Sequence, residues 1–307
     1  MRESTYQQLG LTGAKSCTEL RVRDVTRRKL TEKWSFAESG LRALDLCCEL
    51  QGLPYGLNAA RMVYVVLILQ TTGNVVPELK VFSTIAVRGA VEELVPRLEQ
   101  ALACSLAITW STAPLLLKRI ETGETADALI LSQAGIDALN KSGKIVPGTE
   151  VTLASSATAV SVRAGAPKPD ISTPNAFVEA LLKAKGIAYT DPAAGGASGV
   201  YFGQLIEWLG IAAAIKAKTK HPPAGGFSGD LLLSGDADLA IQQKPELMHV
   251  AGTEIVGLFP GELNVVTVFV GAVMAGSGHG TAVKSLIAML RSPDAVAMFR
   301  TKGLETP

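Results

Sequence analysis

A chain of 307 residues, 48% hydrophobic and 19% charged, has the composition of an ordinary globular protein and not of a disordered one. Its length is enough to bury one large core or two modest ones. A net charge of +1 with no basic stripe excludes an electrostatic case for nucleic acid. The cysteines (Cys17, Cys47, Cys48, Cys104) and histidines (His221, His249, His279) fall at no zinc spacing, so no metal and no cofactor is expected, and Cys104 reads as a buried apolar residue.

Residues 1–77 read as a leader or an N-terminal extension. RVRDVTRRKLTEKW is basic and mixed, and GLRALDLCCELQGL has a helical look. The apolar run Met62–Leu69 is too short for a bilayer, which takes about 20 residues. It suits either the apolar part of a signal peptide or a buried strand.

From Leu79 onward strands alternate with helices. LKVFS (79–83) is a strand, and a helix follows with Val91, Leu94, Val95 and Leu98 at helical spacing. SLAITW (105–110) is the next strand, after which Ser111 and Thr112 open a helix that Gly123 closes. ADALIL (126–131) precedes the helix QAGIDALNKSG. TAVSVRAG (158–165) is a further strand, and Ser172-Thr173-Pro174 starts another helix with a capping residue before a first-turn proline. IAYTDP leads to a longer helix beginning at Ser198, in which Phe202 and Trp208 read as core. GDLLLSGDADLAIQQ holds a short helix, a turn and a buried strand. NVVTVFVGAVMAG is the return strand, and two terminal helices divide near Ser292-Pro293. This alternation implies parallel pairing and right-handed crossovers.

No G-x-S-x-G elbow, H-E-x-x-H pair or Walker loop occurs. The carboxylates Asp127, Asp191 and Asp236 suit solvated or capping roles, so the chain is expected not to be an enzyme. What recurs is a strand, then a hydroxyl residue or glycine, then a helix: Ser83-Thr84, Ser111-Thr112 and Gly195–Gly199. Such junctions offer free N–H groups and the positive end of a helix dipole, which bind anions without a formal positive charge. Taken singly, simple N-capping explains any one of them better than ligand binding does, and only their convergence would reverse that.

Four segments resemble the molybdate-binding-protein-like substrate-binding proteins of ABC importers: KRIETGETADALIL (118–131), VRAGAPKPDISTPNAFVEALLKAKGIAYTDPAAGGASGVYF (162–202), GDADLAIQQKPEL (235–247) and TVFVGAVMAG (267–276). The resemblance implies an α/β, two-lobed type II periplasmic-binding-protein fold, with two mixed sheets flanked by helices and a double crossover hinge. Lobe one would span 78–157 plus 271–307 and lobe two 158–270, with ligand in the cleft between them. By the same resemblance Ser83, Thr84, Ser111, Thr112, Ser198 and Gly199 bind ligand, and Gln242 lies beside them on a late strand. Tyr201 stands near the cleft or packs beneath it. Relatives often carry A-R-S-G where this chain has Ala154-Ser155-Ser156-Ala157, so Ser155 takes the place of an arginine; a late-strand tyrosine of molybdate binders is matched by Gln242-Gln243.

The function implied is that of a monomeric, periplasmic or otherwise extracytoplasmic solute-binding protein. It would hold a small anion, either a molybdate-like oxyanion or a small carboxylate, and hand it to an ABC permease. A cytosolic ligand sensor with the same fold is the alternative.

Overall fold

The structure is a computed structural model that describes residues 77–307. The expectations for the preceding segment, including the apolar run Met62–Leu69, lie outside the described residues. Among the described residues no helix is long and apolar enough to cross a membrane.

The first sheet is built from β1 (Glu78–Thr84), β2 (Ser105–Ser111) and β3 (Ala128–Ser132), all parallel. The return strand β9 (Val266–Val273) runs antiparallel to β3. Between these strands lie α1 (Arg88–Leu102), α2 (Ala113–Glu121) and α3 (Gln133–Lys141). Strand side chains alternate between two buried faces, as expected for strands covered on both sides. Leu79 and Val81 of β1 and Ile130 of β3 join one apolar cluster with Leu94 and Phe299. Phe82, Leu129 and Leu131 join another with Leu116 and Ile136.

The 13-residue strand β4 (Val151–Arg163) belongs to both sheets. Its first half pairs with β9, and its second half pairs with β7 (Leu239–Gln243) on one side and β8 (Thr253–Leu258) on the other. The second sheet continues through β5 (Ile187–Tyr189) to β6 (Thr219–Lys220). Pairing of β9 with β4 begins at Val266, so the expected division between residues 270 and 271 falls inside β9.

One face of the second sheet packs on α4 (Pro174–Lys183), α5 (Ala197–Trp208) and α6 (Ala212–Lys216), with Phe177, Phe202 and Ile215 fully buried. The other face is made of Ala159, Ala188 and Ala240, which let the short α7 (Asp230–Leu233) and α8 (Lys244–His249) lie close against it through Leu232 and Leu247. α9 (Gly280–Met289) and α10 (Pro293–Thr301) close the chain on the first sheet.

Local signals explain several helix starts. The Thr173 hydroxyl accepts from the Ala176 amide at 3.2 Å, and Ser292 does the same for Ala295 at 3.3 Å. Cys104 is buried, and Phe202 is core, but Trp208 is 73% exposed, on the outer side of the last turn of α5. Helical spacing explains the difference: Phe202, Leu205 and Ile206 occupy the inward stripe, and residue 208 lies beyond it.

Gly199 shows how tightly α5 is set against β5: a Cβ there would lie 2.1 Å from the Thr190 carbonyl oxygen. Gly199→Ala is therefore expected to cost about 1–3 kcal/mol through overpacking. Urea unfolding with an unchanged midpoint would contradict this packing.

Candidate functional site

Four helix or turn starts converge on one cavity of about 370 Å³ between the sheets. Three come from the first lobe. Thr84, Ile85 and Ala86 form the 3₁₀ turn that leads into α1; Thr112, Ala113 and Pro114 open α2; Ser132, Ala134 and Gly135 open α3. The fourth, Gly196, Ala197 and Ser198, opens α5 from the second lobe. At Thr84, Thr112 and Gly196 no side chain caps the first turn, which leaves those amides for an acceptor from outside. Ser132 differs, its hydroxyl accepting from the Gly135 amide at 3.4 Å.

The lobes meet at the cavity rim. The Thr112 hydroxyl donates to the Ala194 carbonyl across the gap at 2.7 Å. Beside it the Gly195 backbone (φ 74°) lies against the Pro114 ring, where a Cβ would stand 2.5 Å from Pro114 Cγ. Only glycine fits both that conformation and that approach. Tyr201 also lines the cavity, its hydroxyl donating to the Leu263 carbonyl at 2.8 Å, and burial raises its pKa.

Among the residues expected to bind ligand, Thr84, Thr112 and Ser198 line the cavity, and Ser83, Ser111, Ser155, Gly199 and Gln242 do not. Ser83 is fully buried, its hydroxyl donating to the Thr84 carbonyl at 3.2 Å. Ser111 ends β2 paired with Thr84. Ser155 exchanges backbone hydrogen bonds with Glu305 at 2.7 and 2.8 Å, in an edge contact with the C-terminal tail. Gly199 packs on β5. Gln242 does not line the cavity: its Oε1 accepts from the Ser228 amide at 2.7 Å, and its side chain lies beside the Glu246 carboxyl beneath the wall.

The neighbouring Gln243 is the one in the cavity wall, together with Glu246 and Ser132. Sequence reasoning missed Ser132 and Glu246, and named Gln243 only beside Gln242 as a match to a late-strand tyrosine. Ser132 obeys the same strand–hydroxyl–helix rule as the other corners, and that signal was available. Glu246 carried no such signal.

Glu246 is 6% exposed, in the first turn of α8, and its Oε2 accepts from the Gln243 amide at 3.2 Å. Burial disfavours the charged carboxylate and pushes its pKa from 4.5 up to about 8, against the Gln243 amide and the Gln242 side chain, which favour ionisation. Among the described residues no Lys, Arg or His lines the cavity. Among the described residues no group of three or more His, Cys, Asp or Glu side chains stands together to hold a metal ion.

Two lobes joined by shared crossover strands around a dipole-lined cleft define a type II periplasmic binding protein. The fold is shared by a molybdate-binding protein of Azotobacter vinelandii (TM-score 0.63, 20% identity, covering 75% of this chain and 99% of that one). A sulfate-binding protein of Mycobacterium tuberculosis shares it too (TM-score 0.59, 18% identity, covering 75% and 87%). Residues 79–305 match the family described as bacterial extracellular solute-binding protein, and the chain belongs to that family.

A relative from Pseudomonas sp., named aconitate isomerase, is 34% identical over 236 residues, covering 75% of this chain and 88% of its own length. That relative corrects the expectation that the chain is not an enzyme: a cleft without a recognisable catalytic motif occurs here beside a homologue named for a catalysed reaction. The expectation rested on the absence of a motif, and absence of a motif does not exclude catalysis.

Two outcomes follow. Thr112→Val removes the interlobe hydrogen bond, worth about 0.5–1.5 kcal/mol, and is expected to weaken ligand affinity about two- to tenfold by titration; unchanged affinity would show that the bond does not hold the lobes together. Glu246, protonated more readily folded than unfolded, contributes stability that is complete below pH 4.5 and is lost as pH rises through about 8. Melting temperature is expected to fall more steeply with pH in the wild type than in Glu246→Gln over this window, and parallel curves would contradict the assignment.

Proposed function

We propose that the protein binds a small carboxylate of the aconitate type in its interlobe cleft, outside the cytoplasm, and interconverts its isomers. The observation that carries this reading is the cavity wall, in which helix starts from both lobes present uncapped amides around a space with no cation. Such a wall neutralises carboxylate oxygens through N–H dipoles alone. The 34% identical relative supplies the class of anion. A volume of about 370 Å³ also lies within the range of sites for organic molecules, roughly 300–1,000 Å³, and exceeds what a tetrahedral oxyanion fills. Both favour a carboxylate over a molybdate-like guest.

Family membership favours a second reading, in which the same anion is delivered to an ABC permease. Ligand would bridge the lobes, favour the closed form by binding it preferentially, and the closed form would dock at the membrane. The two readings share ligand and cleft. They differ in whether the ligand leaves changed.

Incubation of the full chain with cis- or trans-aconitate, followed by proton NMR of the vinylic signal, tests the first reading. Conversion toward one mixture from either isomer is expected. Titration calorimetry against both isomers, molybdate and sulfate separates the rest: binding of aconitate without conversion leaves delivery alone, and neither binding nor conversion contradicts both.

A further inference from the structure

We propose that Glu246 carries the proton in the cleft, taking it from one carbon of the bound carboxylate and returning it to another; this role rests on the isomerase reading above. Three observations place it there. Among the described residues, Glu246 is the only side chain in the cavity wall with a carboxyl, ammonium, guanidinium or imidazole group. Tyr201 is the only other titratable group in the wall, and its hydroxyl is committed to the Leu263 carbonyl. The Gln243 amide holds one Glu246 oxygen at 3.2 Å, so the carboxyl is oriented before any ligand arrives.

Beside it the Gln243 side chain is 3% exposed and lines the same wall. Its Nε2 donates to Thr267 Oγ1 at 3.0 Å, and Gln243 and Glu246 form a reciprocal capping box at the start of α8, which fixes both side chains.

The chemistry balances without a co-reactant. Aconitate carries a methylene carbon and a vinylic carbon on either side of one central carbon. The ionised Glu246 takes a methylene proton. The electron pair of that C–H bond becomes the new π bond to the central carbon, and the former π pair takes the proton back from Glu246 at the opposite carbon. Methylene and vinylic ends exchange, and the new double bond forms in either geometry. The carbanion in between spreads its charge into the flanking carboxylates, where the helix-start amides stabilise it. A carboxyl that ionises near neutral pH is suited to both halves of this transfer.

No other charge competes for Glu246. On α1, Arg88 pairs with Glu92, Glu93 with Lys302, and Arg97 with Asp294, while Glu99 accepts from the Leu106 amide. Glu254 of β8 pairs with Lys168, and Arg163 at the end of β4 is exposed. On α8 itself, Lys244 is half-buried near Gly303 and the His249 ring lies against that of Phe227, with centroids 4.8 Å apart. The pH dependence of turnover therefore reports Glu246.

The test compares wild type with Glu246→Gln on cis- and trans-aconitate in buffered D₂O, with titration calorimetry of the same ligands as a check on folding and binding. Wild-type kcat/KM is expected to rise with pH through about 8, the window of the Glu246 carboxyl. Glu246→Gln is expected to bind aconitate while losing turnover by about 10²–10⁴-fold, the usual contribution of a positioned acid–base group. Glu246→Asp, which keeps the acid but draws it back, is expected to retain part of the rate with the same sense of pH dependence. Turnover of Glu246→Gln within a few fold of wild type overturns the role while leaving the isomerase reading intact. Wild type that binds aconitate without converting it overturns both. Parallel loss of binding and turnover in Glu246→Gln, with Glu246→Asp equally inactive, assigns Glu246 to binding and overturns the proton transfer.

Discussion

A helix whose first amides have no side-chain cap must find an acceptor elsewhere, and this protein brings three such starts, with a fourth capped only loosely by Ser132, to one space. Among the described residues, the wall carries no Lys, Arg or His and one buried carboxyl, so the uncapped amides are its anion-attracting groups. Neutral donors can grip a dehydrated anion closely yet release it when the lobes part, because no strong ion pair has to be broken. A protonated Glu246 adds no repulsion to such a guest, whereas a permanently charged carboxylate in the same position would.

The cleft is tied to the hinge by the same few residues. Gln243 ends β7 opposite Thr158 of the shared strand β4, and its side chain reaches Thr267 on the returning strand β9. α8 begins directly after it and packs against both the second sheet and the 3₁₀ turn of the first lobe. The short helix that positions Glu246 thus touches both lobes. On the opposite rim, Thr112 and Ala194 join the lobes by one hydrogen bond, and Gly195 seats against Pro114. The interlobe bond and the buried carboxyl belong to neighbouring parts of one wall.

Much of the fold was legible in sequence because strand and helix periods follow from local alternation: β1, β2 and β3 and the helices after them fall within a few residues of their expected places. The site was legible only in part, for two physical reasons. Side chains alternate across a strand, so a shift of one residue moves a side chain to the other face; Gln242 turns to Ser228 and Gln243 turns to the cavity. Burial of a charged group is a property of the assembled molecule, and nothing in KPELMH distinguishes Glu246 from a surface carboxylate at a helix start. Its altered ionisation comes from β7, β4 and the first lobe closing around it. Ser132 is the opposite case, since ADALILSQAG carries the same corner signal as the residues before α2.

The most direct measurement of the central claim is a crystal structure of the full chain grown with trans-aconitate. The account predicts density between the lobes, with carboxylate oxygens in hydrogen-bond reach of the amides that open the 3₁₀ turn before α1, α2 and α5, and with a ligand carbon against the Glu246 carboxyl. Ligand bound elsewhere on the surface, or a cleft filled only by solvent at saturating ligand, would contradict it.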